Sequence, residues 1–423
     1  MRQLTLENGL RVVLDARGGP PAVGVAVHYG TGFRGDPAGR SGFAHLFEHA
    51  MFQGSASVGP GEHIRAVQGS GGTAGASTHQ DYTDFYQVAP TAALDRLLFL
   101  EADRMAGVRL DAHGLDIQLR VIREEIATQV TGRPYGGFPW TVLPSVLYTS
   151  FANAHDGYGD LAGLRQVTPE ECVAFHAAHY APSRAVLTVC GGFDETEAER
   201  LVLHHFAALP PRPAAPPPDL AEAPPVRARA GDHEDARAPL PALALGHRLP
   251  DPSHALPAYV AHMVLAALLT GTDRARLTAR LVTGTGLATA VRAGCGFFGP
   301  LQARDPDTFQ TVVTLRPDAD AEDVRAETDR ILTRLAEHGP TADELTRTRT
   351  QLCVSLSRTY DSLVHRTRHI GAFTLLHGRP HLVDALPGLV GRCTADEVAA
   401  AARNLLAVPC AVLRLHVREV APV

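Results

Sequence analysis

Apolar and polar positions alternate through the first residues of the chain. Residues 3–15 (LTLENGLRVVLDA) predict a β-hairpin, with Asn8-Gly9 as the turn between two alternating apolar stretches. Residues 22–30 (AVGVAVHYG) predict a third strand. From Ser41 to Gln53 the apolar spacing turns helical, with Ser41 as a good N-cap and Gly54 as the stop. A glycine-rich loop follows near 69–72, then a strand pair around 73–88, a leucine-spaced helix at 92–106 and a further helix near 114–130. Strands and helices mix without βαβ regularity, so the expected class is α+β.

The segment 207–241 is rich in proline and alanine with mixed charge, the composition of an extended, semi-rigid linker. The expected division is an N-terminal domain at 1–210, a linker at 211–238 and a C-terminal domain at 239–423. The halves also resemble one another. A strand then FAHLFEHAMFQGS (43–55) in the first is matched by a strand at 241–248 then VAHMVLAALLTGT (260–272) in the second. Leu265 and Ala266 stand at the offsets of Glu48 and His49, so the pattern reads as a duplicated mixed-sheet α+β domain whose second copy lost its polar chemistry.

Composition narrows the function. With 423 residues, 45% hydrophobic and 20% charged, the chain has the makeup of a globular protein of two domains. A net charge of −6 gives no basic footprint for nucleic acid or an anionic membrane, so neither is an expected partner. All 39 basic residues are arginine, which excludes lysine Schiff bases and a P-loop. The N-terminus lacks the basic-then-apolar order of a signal peptide, and no apolar run approaches the ~20 residues that span a bilayer, so a cytoplasmic location is expected. The six cysteines (172, 190, 295, 353, 393, 410) are dispersed without a CxxC and are expected as free, mostly buried thiols.

His45-Leu46-Phe47-Glu48-His49 is the informative stretch. On a helix, positions i and i+4 share a face, so the two histidines can converge on one metal ion. Neutral imidazoles suit Zn²⁺, and Glu48, about one turn from His45, can reach a metal-bound water. With 21 histidines in the chain such a spacing can arise by chance. Three polar groups on a helix otherwise rich in Phe, Leu and Met are nevertheless costly to bury without a partner such as a metal. A third ligand is sought in DIQLRVIREEIATQ (116–129). Gln118, Ile122 and Glu125 form one stripe, since a spacing of seven drifts by only about 20°. Glu124 points about 100° away and is the alternative.

H-x-x-E-H, in the context GRSGFAHLFEHAMFQGS, resembles the pitrilysin/insulinase family of zinc peptidases, the inverzincins, which includes mitochondrial processing peptidase. LENGLRVV at 6–13, GGTAGAST at 71–78, DYTDFY at 81–86, EADRM at 101–105, RPYG at 133–136 and HYAPSRAVLTVCGGFD at 179–194 carry the resemblance further. In the family a third glutamate lies about 76 positions after the second histidine, which falls on Glu125. The resemblance implies one zinc per chain held by His45, His49 and Glu125, with Glu48 as the general base that activates a zinc-bound water. It implies a substrate peptide added as a strand along Gly75, Ala76, Ser77 and Thr78, with Phe52 on the substrate side.

Three departures qualify that implication. Gln118 stands where many members have a supporting glutamate of the outer shell, and Gly75 where an asparagine is common. In the second half the family completes the site with an arginine and a tyrosine in a stretch like Leu-Arg-x-x-x-Gly-Leu-Ala-Tyr; here Val282 and Thr289 occupy those places in Leu281–Thr289. The resemblance therefore implies a zinc-dependent endopeptidase that cleaves peptides or precursor and leader peptides inside a dimeric chamber, the Arg/Tyr pair coming from a related subunit. The alternative is a non-catalytic or scaffold subunit of the same fold. His79, His176, His179, His204, His205 and the pair His365/His369 are expected to be solvated or satisfied in the core, and His262 to be packed there.

Overall fold

Asn8 and Gly9 turn the chain between β1 (Arg2–Thr5) and β2 (Arg11–Ala16), which pair antiparallel from Arg2 opposite Leu14 to Thr5 opposite Arg11. Gly9 takes φ 86, and the Asn8 side chain accepts from the Leu10 N–H at 3.1 Å while donating to the Phe206 carbonyl at 2.8 Å. The computed structural model describes residues 1–418. The next strands are β3 (Ala22–Tyr29), β4 (Thr73–Thr78), β5 (Thr83–Pro90) and β6 (Ala185–Gly191). They complete a mixed six-stranded sheet ordered β1-β2-β6-β3-β5-β4, in which β2 and β6 run parallel. β6 is buried along its whole length, whereas β4 lies on the edge and is at least partly exposed throughout.

A second sheet takes β7 (Arg229–Asp235), β8 (Ala242–Arg248), β9 (Ala288–Cys295), β10 (Thr308–Leu315) and β11 (Ala411–Val417) in the order β7-β11-β8-β10-β9. Two mixed sheets flanked by helices bear out the α+β class. β7 falls inside the stretch expected to be linker. Its sequence, Arg-Ala-Gly-Asp-His-Glu-Asp, has no apolar face, because it is a sheet edge whose side chains alternate between partly and fully exposed.

Two compact units emerge from the contacts, and neither is continuous in sequence. Among the described residues, the first takes 1–123, 157–219 and 357–384, and the second takes 124–156, 220–356 and those from 385 on. The helix Leu363–His377 thus counts with the first sheet, where it packs on β3, β5 and β6. Its approach is close: a Cβ on Gly371 would stand 2.3 Å from Nδ1 of His28 on β3. Arg366 on this helix donates to the buried Asp15 of β2 at 2.7 Å.

In the second unit, the helix Pro252–Thr270 is long and apolar enough to cross a membrane by length and composition, which corrects the expectation that no such run exists. It is a core helix by burial: Tyr259 through Ala266 are all buried. His262 lies among them with hydrogen-bond contacts to the Ala258 carbonyl at 2.8 Å and Asn404 at 3.1 Å, so the duplicated motif retains its histidine as a packed core group.

Candidate metal centre

The H-x-x-E-H stretch lies on a helix at Phe43–Ala50, shorter than the expected 41–53. Its N-cap is Gly42, at φ 92, and not Ser41. The capping oxygens come from upstream: Asp36 accepts from the Gly42 N–H at 2.6 Å and from the Ala44 N–H at 2.8 Å. A carboxylate at this end also meets the positive pole of the helix dipole. Phe43, Leu46 and Phe47 bury one face, with both phenylalanines packed on Phe175 at 4.7 Å. His45 is buried, and Glu48 and His49 are partly so. The two imidazoles lie edge to face with centroids 4.9 Å apart, and the Tyr158 ring sits 5.2 Å from His45.

The second contributor is the helix Ala112–Ile126. Leu115, Gln118 and Ile122 are its buried stripe, and Glu125 continues that stripe at partial burial while Glu124 is exposed. The first unit runs to Arg123, and Glu125 stands two residues further along the same helix. One nitrogen each from His45 and His49 and one carboxylate oxygen of Glu125 lie within 4.8 Å of one another. Two imidazoles and a carboxylate are a donor set suited to zinc, and small side-chain rotations would bring all three to about 2.0–2.2 Å of one ion.

Glu48 is held apart from this trio. Its carboxylate accepts the Thr78 hydroxyl at 2.6 Å, which ties the helix to the last residue of the edge strand β4. Burial pushes its carboxyl above the usual carboxylate range, against the pull of His45, of the Thr78 hydrogen bond and of His49. Gly75, Ala76, Ser77 and Thr78 lie consecutively on β4 beside it. Phe52 is turned into the unit: its ring meets Phe85 at 5.7 Å, and the Arg104 guanidinium lies 5.0 Å from its centroid.

The structure gives a reason for the Gly75 departure. Gly75 is paired with Tyr86 on β5, and a Cβ at this position would stand 2.5 Å from the Tyr86 hydroxyl oxygen. The tyrosine therefore occupies the space a side chain at 75 would need. Val282 lies in the π-helical segment Ala279–Gly284 of the second unit, and Thr289 is exposed near the start of β9. Neither carries a charge or a phenol.

Sequence reasoning missed three contributors. Asp36 and Tyr158 reach the metal helix from loops, although Asp36-Pro37 followed by Gly39 is a turn signal. Arg368 donates to Ser77 across 291 positions, and no local pattern announces such a contact. Three of the histidines expected to be bystanders have these surroundings. His79 is partly buried against Tyr82, its ring stacked at 4.3 Å. His176 contacts the Arg104 carbonyl, and His369 the His365 carbonyl.

Comparison with known proteins identifies the family. Residues 11–133 match the family model described as insulinase (peptidase family M16), and residues 166–352 match the peptidase M16 inactive domain. The zinc protease PqqE of Helicobacter pylori is 28% identical over 81% of this chain and 76% of its own. The mitochondrial-processing peptidase subunit beta of Bos taurus is 25% identical over 48% of this chain and 41% of its own. Among solved structures, a protease from Helicobacter pylori superposes with a TM-score of 0.89 at 23% identity, covering 98% of this chain and 99% of that one. The periplasmic protease PqqL from Escherichia coli superposes with a TM-score of 0.78 at 20% identity, and there 99% of this chain matches 48% of the other. The two family models together span most of the sequence and meet on a fold shared with these proteases, so the chain belongs to the insulinase family, peptidase M16.

Proposed function

We propose that the chain is a zinc-dependent endopeptidase in which His45, His49 and Glu125 hold the metal and Glu48 is the general base. The observation that carries this reading is the convergence of the three donors beside a carboxylate hydrogen-bonded to an unpaired sheet edge. Zinc, when bound, polarises the scissile carbonyl and makes a coordinated water acidic near neutral pH. Glu48 would accept the proton of the attacking water at a carboxylate oxygen and return it to the leaving amine. Its partial burial keeps its basicity above that of a solvated glutamate. The backbone groups of β4 would hold the peptide as an added strand, with Thr78 fixing the end of that strand against the base.

The assembly follows from what the second unit lacks. Val282 and Thr289 supply neither the guanidinium nor the phenol that steadies a substrate carbonyl. PqqL is about twice the length that this chain matches. We infer that a related subunit bearing an arginine and a tyrosine completes a chamber, and that precursor or leader peptides flexible enough to enter it are cleaved. The competing reading is a scaffold subunit without turnover.

Glu48→Gln tests the mechanism. The substituted chain is expected to retain about one zinc while hydrolysis of a flexible fluorogenic peptide, with the partner present, falls by about 10²–10⁴-fold. Full activity in Glu48→Gln would remove Glu48 from its role, and wild-type protein that binds no zinc after careful metal loading would favour the scaffold.

A further inference from the structure

An edge strand that receives a peptide has to be held straight and in register, although it lacks a neighbour on one side. On β4 the side chains alternate between the two faces of the sheet. Thr78 meets Glu48 of the metal helix; Ser77 and Gly75 belong to the other face, where Asp84 and Tyr86 are their pairing partners on β5. A single side chain gathers that second face. Arg368, on the helix Leu363–His377, donates from Nε and Nη2 to the two oxygens of Asp84 at 2.6 and 2.9 Å. Nη2 also donates to the Ser77 hydroxyl at 2.9 Å, and the guanidinium lies 4.4 Å from the centre of the Tyr86 ring.

Asp84 is fully buried, and Nε2 of His28 and of His79 each stand 3.8 Å from its carboxylate. Burial alone would raise its carboxyl, but Arg368 holds it below its ordinary value. The pair is fixed at its inner end by this buried carboxylate and reaches outward, at 23% exposure, to the strand edge. Tyr86 in turn fills the space over Gly75, so Arg368 touches the edge strand directly through Ser77 and indirectly through Tyr86.

We propose that Arg368 is a positioning residue for the peptide: it braces β4 from the face opposite the metal helix and so sets the affinity with which an extended peptide pairs there. The proposal rests on the reading of β4 as the peptide-binding edge. Arg368 sits on the face away from the Thr78–Glu48 contact, so its removal acts on binding more than on the chemical step.

The test uses the full chain, with the related subunit present wherever turnover is read. Arg368→Ala should raise KM for the fluorogenic peptide about tenfold, with kcat within about twofold and zinc content unchanged. Arg368→Lys should recover part of that loss, because an ammonium can reach Asp84 or Ser77 but cannot make the bidentate fork. Ser77→Ala removes one contact and leaves the Asp84 pair, so it serves if Arg368→Ala fails to fold; a rise in KM of about two- to threefold is expected. Amide hydrogen exchange read at Thr73–Thr78 supplies a measurement independent of turnover. The Arg368→Ala change should speed exchange there, and a peptide added to Glu48→Gln protein should protect those amides less when Arg368 is also replaced. Unchanged KM and unchanged exchange in folded Arg368→Ala protein would overturn the proposal. So would a joint loss of zinc, kcat and melting temperature that Lys does not relieve, since that marks a merely structural role. Should wild-type protein cleave no peptide even with the related subunit present, the endopeptidase reading fails, and the exchange comparison still decides whether Arg368 braces the edge.

Discussion

Asp36 offers the clearest link between a loop residue and the metal helix. It is 5% exposed, and its two oxygens take the Gly42 and Ala44 N–H groups, both on buried residues. Asp36→Ala leaves two helix-end donors without that acceptor where water has little access. Loss of a capping side chain costs about 0.5–2 kcal/mol. Loss of a carboxylate from the positive end of the dipole costs a further ~0.3–1 kcal/mol, rising toward ~2 when partly buried. Burial places Asp36→Ala in the upper part of the combined range, about 2–4 kcal/mol. Asp36→Asn keeps an acceptor oxygen and loses the charge, so about half that cost is expected. At roughly 2–4 °C per kcal/mol for a unit of this size, the alanine variant should melt about 5–15 °C lower.

The same cap fixes the first turn of the helix, which carries His45, so the effect extends to the metal. Thermal melts with and without zinc, with a chromophoric chelator competing for the ion, would read stability and affinity separately. The expected order for both is wild type, then Asp36→Asn, then Asp36→Ala, with zinc bound about tenfold more weakly in the last. An alanine variant that melts within about 1 °C of wild type, with equal zinc affinity, would refute the cap as the element that orders the site.

Acid should destabilise the chain well above the carboxylate range. Burial lowers His28, His79, His176 and His247 from 6.5 to about 4. The unfolded chain therefore takes up protons near pH 6.5 that the native chain refuses until near pH 4, and stability falls as pH drops through that window, by at most about 1.4 kcal/mol per pH unit for each histidine. Urea midpoints at pH 7, 6 and 5 should decline in that order, and a midpoint that rises on acidification contradicts the assignment. Gly75→Ala should cost about 1–3 kcal/mol, because its Cβ displaces Tyr86 from its place under Arg368. Tyr86→Ala in the same chain should remove most of that penalty, and strict additivity in a double-mutant cycle would show that the two do not compete for space.

What the sequence disclosed is what local periodicity encodes. The Asn8-Gly9 hairpin, the one-face placement of His45 and His49, and the stripe that leads from Gln118 to Glu125 all depend on residues within one or two turns of each other. The N-cap was misread because Ser41 has the right chemistry at the wrong position, while Asp36 folds back from six residues before Gly42. β7 escaped because an edge strand with no buried face has no apolar alternation to reveal it. The exchange of segments between the two units leaves no trace in a pattern read along the chain, since the contacts that define it join residues such as Asp15 and Arg366. The Gly75 departure was visible as a departure; its compensation by Tyr86 needed the strand register.

That exchange predicts how the chain can be divided. Residues 1–210 contain all six strands of the first sheet and His45, Glu48, His49 and Glu125, so by sequence they suggest a self-sufficient metal domain. The fragment would nevertheless lack the helix Leu363–His377, whose Ile370, Ala372, Phe373 and Leu375 are buried in the whole chain. It would also leave Asp15 and Asp84 without Arg366 and Arg368. Removing one partner from a buried ion pair costs about 3–5 kcal/mol, and two such losses approach the 5–15 kcal/mol that a domain has in total. Uncovering the apolar helix contact takes more. Expressed alone, 1–210 should be insoluble or unfolded and bind zinc no better than an unstructured histidine-containing peptide. Co-expression with 211–423 should restore a soluble complex, because the missing helix returns in trans. A monomeric 1–210 fragment with a cooperative melt and the zinc affinity of the full chain would show that the helix is dispensable, and with it the argument that the second half of the sequence builds the first half's site.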